Sequence, residues 1–283
     1  MQGAGYCGLP DGAAVPRTGS GLRAAGCRLR CRSIPGSAAR LCPAAPALIR
    51  RPPTVHTDEA GGNVPAAFRE ERQVADHAGD IFTEPEADPD TLRNLGPLRR
   101  MAGLWEGMKS LDVNLGPNGP RRQVYHERIA LQPMDPQTNG PQLLYGLHYV
   151  ARMVKPGAVA TYHHQTGYWL WEPATETVIH TLTIPRGQTA MAIGHAAADA
   201  TRFELRAERG STVNGICSLP FLELAFRTES FRIEVTLNPD GTWSYDEDTV
   251  LMVRGRPEPF HHTDRNTLTR IEDPTPNPRM RRP

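Results

Sequence analysis

Residues 162–194 read YHHQTGYWLWEPATETVIHTLTIPRGQTAMAIG, and this stretch decides the fold. It divides into extended segments at 162–171, 177–184 and 188–194, separated by tight turns. Glu172-Pro173-Ala174-Thr175 carries a proline preset for a reverse turn, and Pro185-Arg186-Gly187 pairs a fixed φ with a glycine that tolerates positive φ. Between the turns, Val178, His180, Leu182 and Ile184 alternate with Ile179, Thr181 and Thr183. That is the period-two pattern of a strand with one buried face. The stretch is a β-meander, and what surrounds it must supply the remaining strands.

Outward from the meander the aromatic residues locate the folded part. Only Tyr6, Phe68 and Phe82 precede Gly103, and all 4 tryptophans follow it. One domain of about 180 residues buries a proper core. The division expected is a disordered extension at 1–87 (or one preceding the true translation start), a barrel at 88–273 and a disordered tail at 274–283. Residues 1–56 are basic and rich in Gly, Ala and Pro. They resemble a transit peptide in charge, but prolines interrupt any amphipathic helix and no secretory apolar run is present. Net charge is +1, which gives no electrostatic case for nucleic acid or an anionic membrane. No apolar run is long enough to span a bilayer as a helix, and a cytoplasmic location is expected. Cys7, Cys27, Cys31 and Cys42 fit no zinc spacing, and Cys217 is alone in the folded part.

Asp88-Pro89-Asp90 is a helix-start signal, followed by Leu92, Leu95, Leu98 and Met101 at near-helical spacing. Gly96-Pro97 should divide this helix into two short pieces that cap something larger. The rest reads as strands at 104–113, 121–131, 143–154, 160–171, 177–184, 188–194, 201–208, 224–237, 242–253 and 262–272. Strong turn formers stand between several of them, among them Gly116-Pro117-Asn118-Gly119-Pro120 and Asn238-Pro239-Asp240-Gly241. Ten consecutive antiparallel strands favour a closed up-and-down barrel, all-β and lipocalin-like, over a sandwich with exposed edges. A barrel of that size is wider than side chains fill, so its interior should hold a small-molecule ligand.

Several motifs in this order resemble the nitrobindin-like, fatty-acid-binding-like haem-binding barrels, which include the peroxynitrite isomerases. They are Gly103-Leu104-Trp105-Glu106-Gly107 after a short helix, Gly167-Tyr168-Trp169 and Pro185-Arg186-Gly187 in the meander, and a histidine opening the last strand. The resemblance covers roughly residues 92–272. It implies haem b at the open end of the barrel, held by one histidine of the last strand, with nitric oxide binding or peroxynitrite isomerisation as the chemistry. His262 is then the iron ligand expected, His261 its alternative, and Trp105 a candidate cofactor contact whose competing role is to close the barrel floor. Two departures bear on haem. The first-strand motif continues Met108-Lys109-Ser110-Leu111-Asp112 where the family has glycine and an aromatic-Pro-Thr-Ile run, and the last strand continues with polar Thr263-Asp264-Arg265-Asn266. The same barrel as a non-haem carrier or sensor of a lipid or small polar ligand is the second expectation.

Adjacent histidines on a strand face opposite ways, so one each of His163/His164 and His261/His262 faces the interior. Asp264 and Asn266 share the side of His262; Thr263 and Arg265 share that of His261. His148 and His180 read as hydrogen-bonded histidines, and Asp246-Glu247-Asp248 as a solvated strand face. No nucleophile elbow and no phosphate-cradling loop is present. Limited proteolysis should trim both ends of the chain and leave a core beginning near Asp88; a protease-resistant N-terminal fragment would contradict the division.

Overall fold

The computed structural model describes residues 80–281, within one compact unit of the chain. The N-terminal cysteines and most of the expected disordered extension lie outside the described residues. The chain enters through α1 (Thr91–Asn94) and a 3-10 turn (Gly96–Met101). The Asp90 carboxylate accepts the Arg93 N–H at 3.1 Å, which caps α1. Gly96 ends it at φ +51°, where a Cβ would sit 2.6 Å from the Trp171 ring.

The strands follow as β1 (Gly103–Gly107), β2 (Leu111–Gly116), β3 (Gly119–Gln123), β4 (His126–Pro133), β5 (Gln137–Asn139), β6 (Gln142–Val154) and β7 (Thr161–Glu172). After these come β8 (Thr177–Ile184), β9 (Gln188–His195), β10 (Arg202–Arg209) and β11 (Gly215–Ser218). A short α2 (Pro220–Ala225) precedes β12 (Phe226–Leu237), β13 (Trp243–Val253) and β14 (Phe260–Glu272). The ring runs β1-β4-β6-β7-β8-β9-β11-β10-β12-β13-β14 and closes by pairing of β14 with β1. It therefore contains 11 strands, with β2, β3 and β5 outside it.

Three details differ from the sequence expectation of 10 strands. The extra member is β11, four residues wedged between β9 and β10, which also pair directly at Ile193↔Arg206. It carries no alternation to read, and it places Cys217, itself exposed, on a strand. The expected strands 104–113 and 121–131 are each broken, at 108–110 and 124–125, and the breaks face one another. Ser110 fastens them: its hydroxyl accepts the Tyr125 N–H at 2.7 Å and donates to the Tyr125 carbonyl. The expected tail is also held in part. Asn277 is fully buried, and its amide donates to the Pro89 carbonyl at 2.9 Å and to Asp135 at 2.8 Å. Composition could not show this, because the ties are individual polar contacts: beside Asn277, the Thr275 N–H donates to Gln132 at 3.0 Å and the Arg279 N–H to Asp135 at 2.9 Å.

Strand direction gives the barrel two unlike ends. At the closed end Leu95, Leu98 and Met101 are fully buried with Trp105, Trp169 and Trp171 in one core cluster. The Trp105 indole N–H donates to the Met101 carbonyl at 2.7 Å, its ring meets Trp243 edge-on at 6.3 Å, and the Arg270 guanidinium lies 4.7 Å over it. One indole thus joins the plug to the strand pair that closes the ring. Trp105→Ala should cost about 3–5 kcal/mol, as removal of a large buried aromatic does. Urea unfolding measures it, and an unchanged midpoint would remove Trp105 from the floor.

Candidate functional site

The open end gathers the last residues of β6, β8 and β13 with the first residues of β4, β7 and β14. Side-chain exposure settles the histidine pair: His261 is 56 % exposed and His262 21 %. His261 faces outward, 2.8 Å from Asp248. His262 faces inward with Asp264, Asn266 and fully buried Leu268. Its Nε2 lies 2.8 Å from Asp112, whose other oxygen accepts the Asn114 amide at 2.7 Å. Burial pushes the Asp112 carboxyl up, but His262 and Asn114 outweigh it and hold the group below the usual range.

Below this pair lies a chain of polar groups. The Tyr125 hydroxyl meets Asp264 on one side and the Tyr245 hydroxyl at 2.7 Å on the other. The Tyr245 hydroxyl is 2.8 Å from Glu127, which also accepts the Asn266 amide at 2.9 Å. Gly107 makes room for that amide, since a Cβ there would fall 2.4 Å from it. Proton counting constrains the chain. Asp264–Tyr125, Tyr125–Tyr245 and Tyr245–Glu127 are O···O contacts that each need a hydrogen, and the two tyrosines supply only two. The remaining proton must sit on a carboxyl group. Electrostatics agrees: burial raises Glu127 to about 7, and burial with the neighbouring Glu247 raises Asp264 well above the usual range. Glu247, opposite Asp264 in the register, is raised to about 8 by burial and by Glu127, and accepts no hydrogen bond among the described residues. The acidic run is therefore not one solvated face. Asp246 and Asp248 point out to Arg232 and His261, while Glu247 points in.

A second ladder lines the wall made by β6, β7 and β8. His163 Nε2 lies 3.3 Å from the Gln165 side-chain Oε1, the Gln165 amide donates to the Tyr149 hydroxyl at 2.7 Å, and that hydroxyl is 2.9 Å from His180 Nε2. His180 stacks on Trp169 at 3.9 Å. Burial keeps both imidazoles neutral, with His163 lowered to about 4 and His180 to about 3. A bulge at Met153/Val154 turns Tyr162 toward Tyr125, their rings 6.1 Å apart. Beside Tyr162 opens a cleft of about 470 Å³, lined by Arg152, Thr161, Tyr162, His164, Ile184, Pro185 and Arg186.

Of the residues expected at the site, His262 is at the open end, His261 is outside, and Trp105 is in the floor, bonded to Met101. Alternation along single strands located His262, Asp264 and Asn266. Asp112, Tyr125, Glu127, Tyr245 and Glu247 were missed, because only cross-strand register brings them together. As placed, these residues do not offer haem a ligand: of the two inward imidazoles at the open end, His262 has Nε2 2.8 Å from Asp112 and His163 has Nε2 3.3 Å from Gln165, and acids, hydroxyls and amides surround them. Among the described residues no group of three His, Cys, Asp or Glu side chains could hold a bare metal ion. No helix among them is long and apolar enough to cross a membrane.

A family model described as the THAP4-like, heme-binding beta-barrel domain matches residues 94–270. The nitrobindin-like resemblance seen in the sequence agrees with it. Among solved structures, the crystal structure of Rv2717c from M. tuberculosis is similar at 21% sequence identity and a TM-score of 0.45, covering 65% of this chain and 99% of that one. Comparison with curated proteins finds no match.

The buried acids predict a pH effect with a definite sign. The folded pKa values of Glu127 and Glu247 are raised, so their contribution to stability is fully present below the unfolded carboxyl range and is lost as pH rises through about 7 and 8. Asp264, Tyr125 and Tyr245 face the same groups and add to the penalty on ionisation. His163 and His180 oppose this only below their unfolded value near 6.5. Between pH 6.5 and 8 stability should fall by about 1–3 kcal/mol, and Glu127→Gln should flatten the slope. A thermal midpoint that rises across this window would contradict the placement of these acids.

Proposed function

The chain belongs to the THAP4-like, heme-binding β-barrel domain family, and from that premise we propose that its barrel binds a small polar molecule at the open end. The observation that carries this reading is the hydrogen-bonded wall around His262. A ligand with donors and acceptors would be read by Asp112, Asn114, His262, Gln165 and the Tyr125–Asp264 pair. Burial costs such groups dearly unless a partner satisfies them, and Glu247, partly buried, has no hydrogen-bond partner among the described residues. The larger apolar cluster of the barrel lies toward the other end, already packed, and a smaller one of Leu115, Leu251 and Val253 stands at the open end.

The competing reading is haem b ligated by His262, with nitric oxide binding or peroxynitrite isomerisation as its chemistry. One observation favours it beyond family membership: a ring nitrogen of an inward histidine is held by a carboxylate, as in many metal-bound imidazoles. It requires Nε2 to exchange Asp112 for iron, or the more crowded Nδ1 to serve.

Haemin titration separates the two. The full chain should give no saturable Soret shift, and native mass spectrometry of freshly purified protein should detect a polar small molecule that Tyr125→Phe and Asp112→Asn release. Stoichiometric haem with a Soret band lost in His262→Ala and kept in His261→Ala would establish the haem reading instead.

A further inference from the structure

We propose that the cleft beside Tyr162 is an anion subsite, so that the ligand carries a carboxylate or phosphate group seated between Arg152 and Arg186. The inference rests on the polar-ligand reading above and names the chemical class.

The sequence places both guanidinium groups at the same end of the barrel. Arg186 occupies the turn between β8 and β9, where Pro185 fixes one side and Gly187, at φ +79°, reverses the chain. The Gly187 N–H bonds the Ile184 carbonyl at 3.1 Å and closes the turn. The Arg186 side chain is thereby laid across the start of β7, where it donates to the Tyr162 carbonyl at 2.6 Å. It is half-buried, and desolvation lowers its pKa while Tyr162 and Asp112 oppose that shift.

Arg152 reaches the cleft from β6. In the register it stands between Arg128 of β4 and His164 of β7 on the outer face. Like charges directly opposed across strands are destabilising, and the local compensation is thin. Glu106 serves both Arg128 at 3.2 Å and His126 at 3.7 Å, while Arg152 has no ion pair or hydrogen bond among the described residues. His164, also lining the cleft, has a buried Nε2 with no hydrogen-bond partner among the described residues. Lys155 adds a further cation 5.8 Å from the Tyr162 ring. A cleft with two guanidinium groups, an unsatisfied imidazole nitrogen and an aromatic wall matches a planar or tetrahedral anion, which guanidinium binds through paired charge-assisted hydrogen bonds. Such an anion would relieve the Arg128–Arg152 repulsion.

The test titrates the full chain with benzoate, with inorganic phosphate, and with benzamide, the uncharged counterpart of benzoate, at low and high sodium chloride. Benzoate or phosphate should bind at least about tenfold more tightly than benzamide, and the one that binds identifies the anion. Arg152→Gln should weaken the anion about tenfold without lowering the thermal midpoint, since it also removes the repulsion with Arg128, and should be partly rescued by Arg152→Lys. Equal binding of benzoate and benzamide would overturn the anion assignment while leaving a polar ligand in place. Insensitivity of the anion to Arg152→Gln, or no binding of any probe at millimolar concentration, would also overturn it. Failure of the polar-ligand reading itself would show separately, as His262-dependent haem uptake.

Discussion

One edge of β14 has to serve two strands. Its C-terminal half pairs with β1 through Thr269, Arg270 and Glu272, which closes the ring, and its N-terminal half pairs with β2 through Thr263, Asp264 and Arg265. A single continuous strand along this edge would have given a uniform barrel. The break at 108–110 gives two ends with different chemistry. Below it, Trp105 brings the entrance plug and the closing strands into one apolar floor. Above it, Asp112 stands directly opposite Asp264 on the inner face, where two ionised carboxylates would repel. His262 and Asn114 accommodate the charge of the first acid. The second is accommodated by the Tyr125–Tyr245–Glu127 chain, which already needs a proton from a carboxyl. Much of the open end follows from that one opposition.

Most of the ring was legible because alternation within a strand is a local property. Phe231, Ile233, Val235 and Leu237 announce their face without any knowledge of their neighbours, and Pro185-Arg186-Gly187 announces its turn. The same local rule puts His262 with Asp264 and Asn266, and the structure adds which set faces in. Register is not local. Nothing near Ser110 says that it will hold Tyr125, and nothing near Tyr125 says that its hydroxyl will meet Asp264, 139 residues later. Glu247 shows the limit most sharply. Between two other acids it reads as surface, yet strict alternation on β13 between Tyr245 and Leu251, both buried, turns it inward. Tyr162 fails the opposite way, since parity alone points it outward and a bulge turns it in.

The placement of charge bears on the ligand. Glu127, Glu247 and Asp264 lie within a few residues of one another in the register, and burial raises all three. Near neutral pH this interior therefore carries fewer negative charges than its composition implies, and its protonated acids act as hydrogen-bond donors. Leucine or valine at these positions would have cost the fold less, because buried acids without full partners are destabilising. Carboxyl groups that oppose stability and face the interior at an open end are explained by what they contact there. The rim has the opposite character, with Arg152, Lys155, Arg186 and His164 around Tyr162. A molecule entering past the rim would meet cations first and neutral donors and acceptors next. An anionic head with a hydroxylated or amide-bearing body satisfies both zones, whereas a porphyrin offers the inner zone a large apolar face that its acids and hydroxyls cannot solvate.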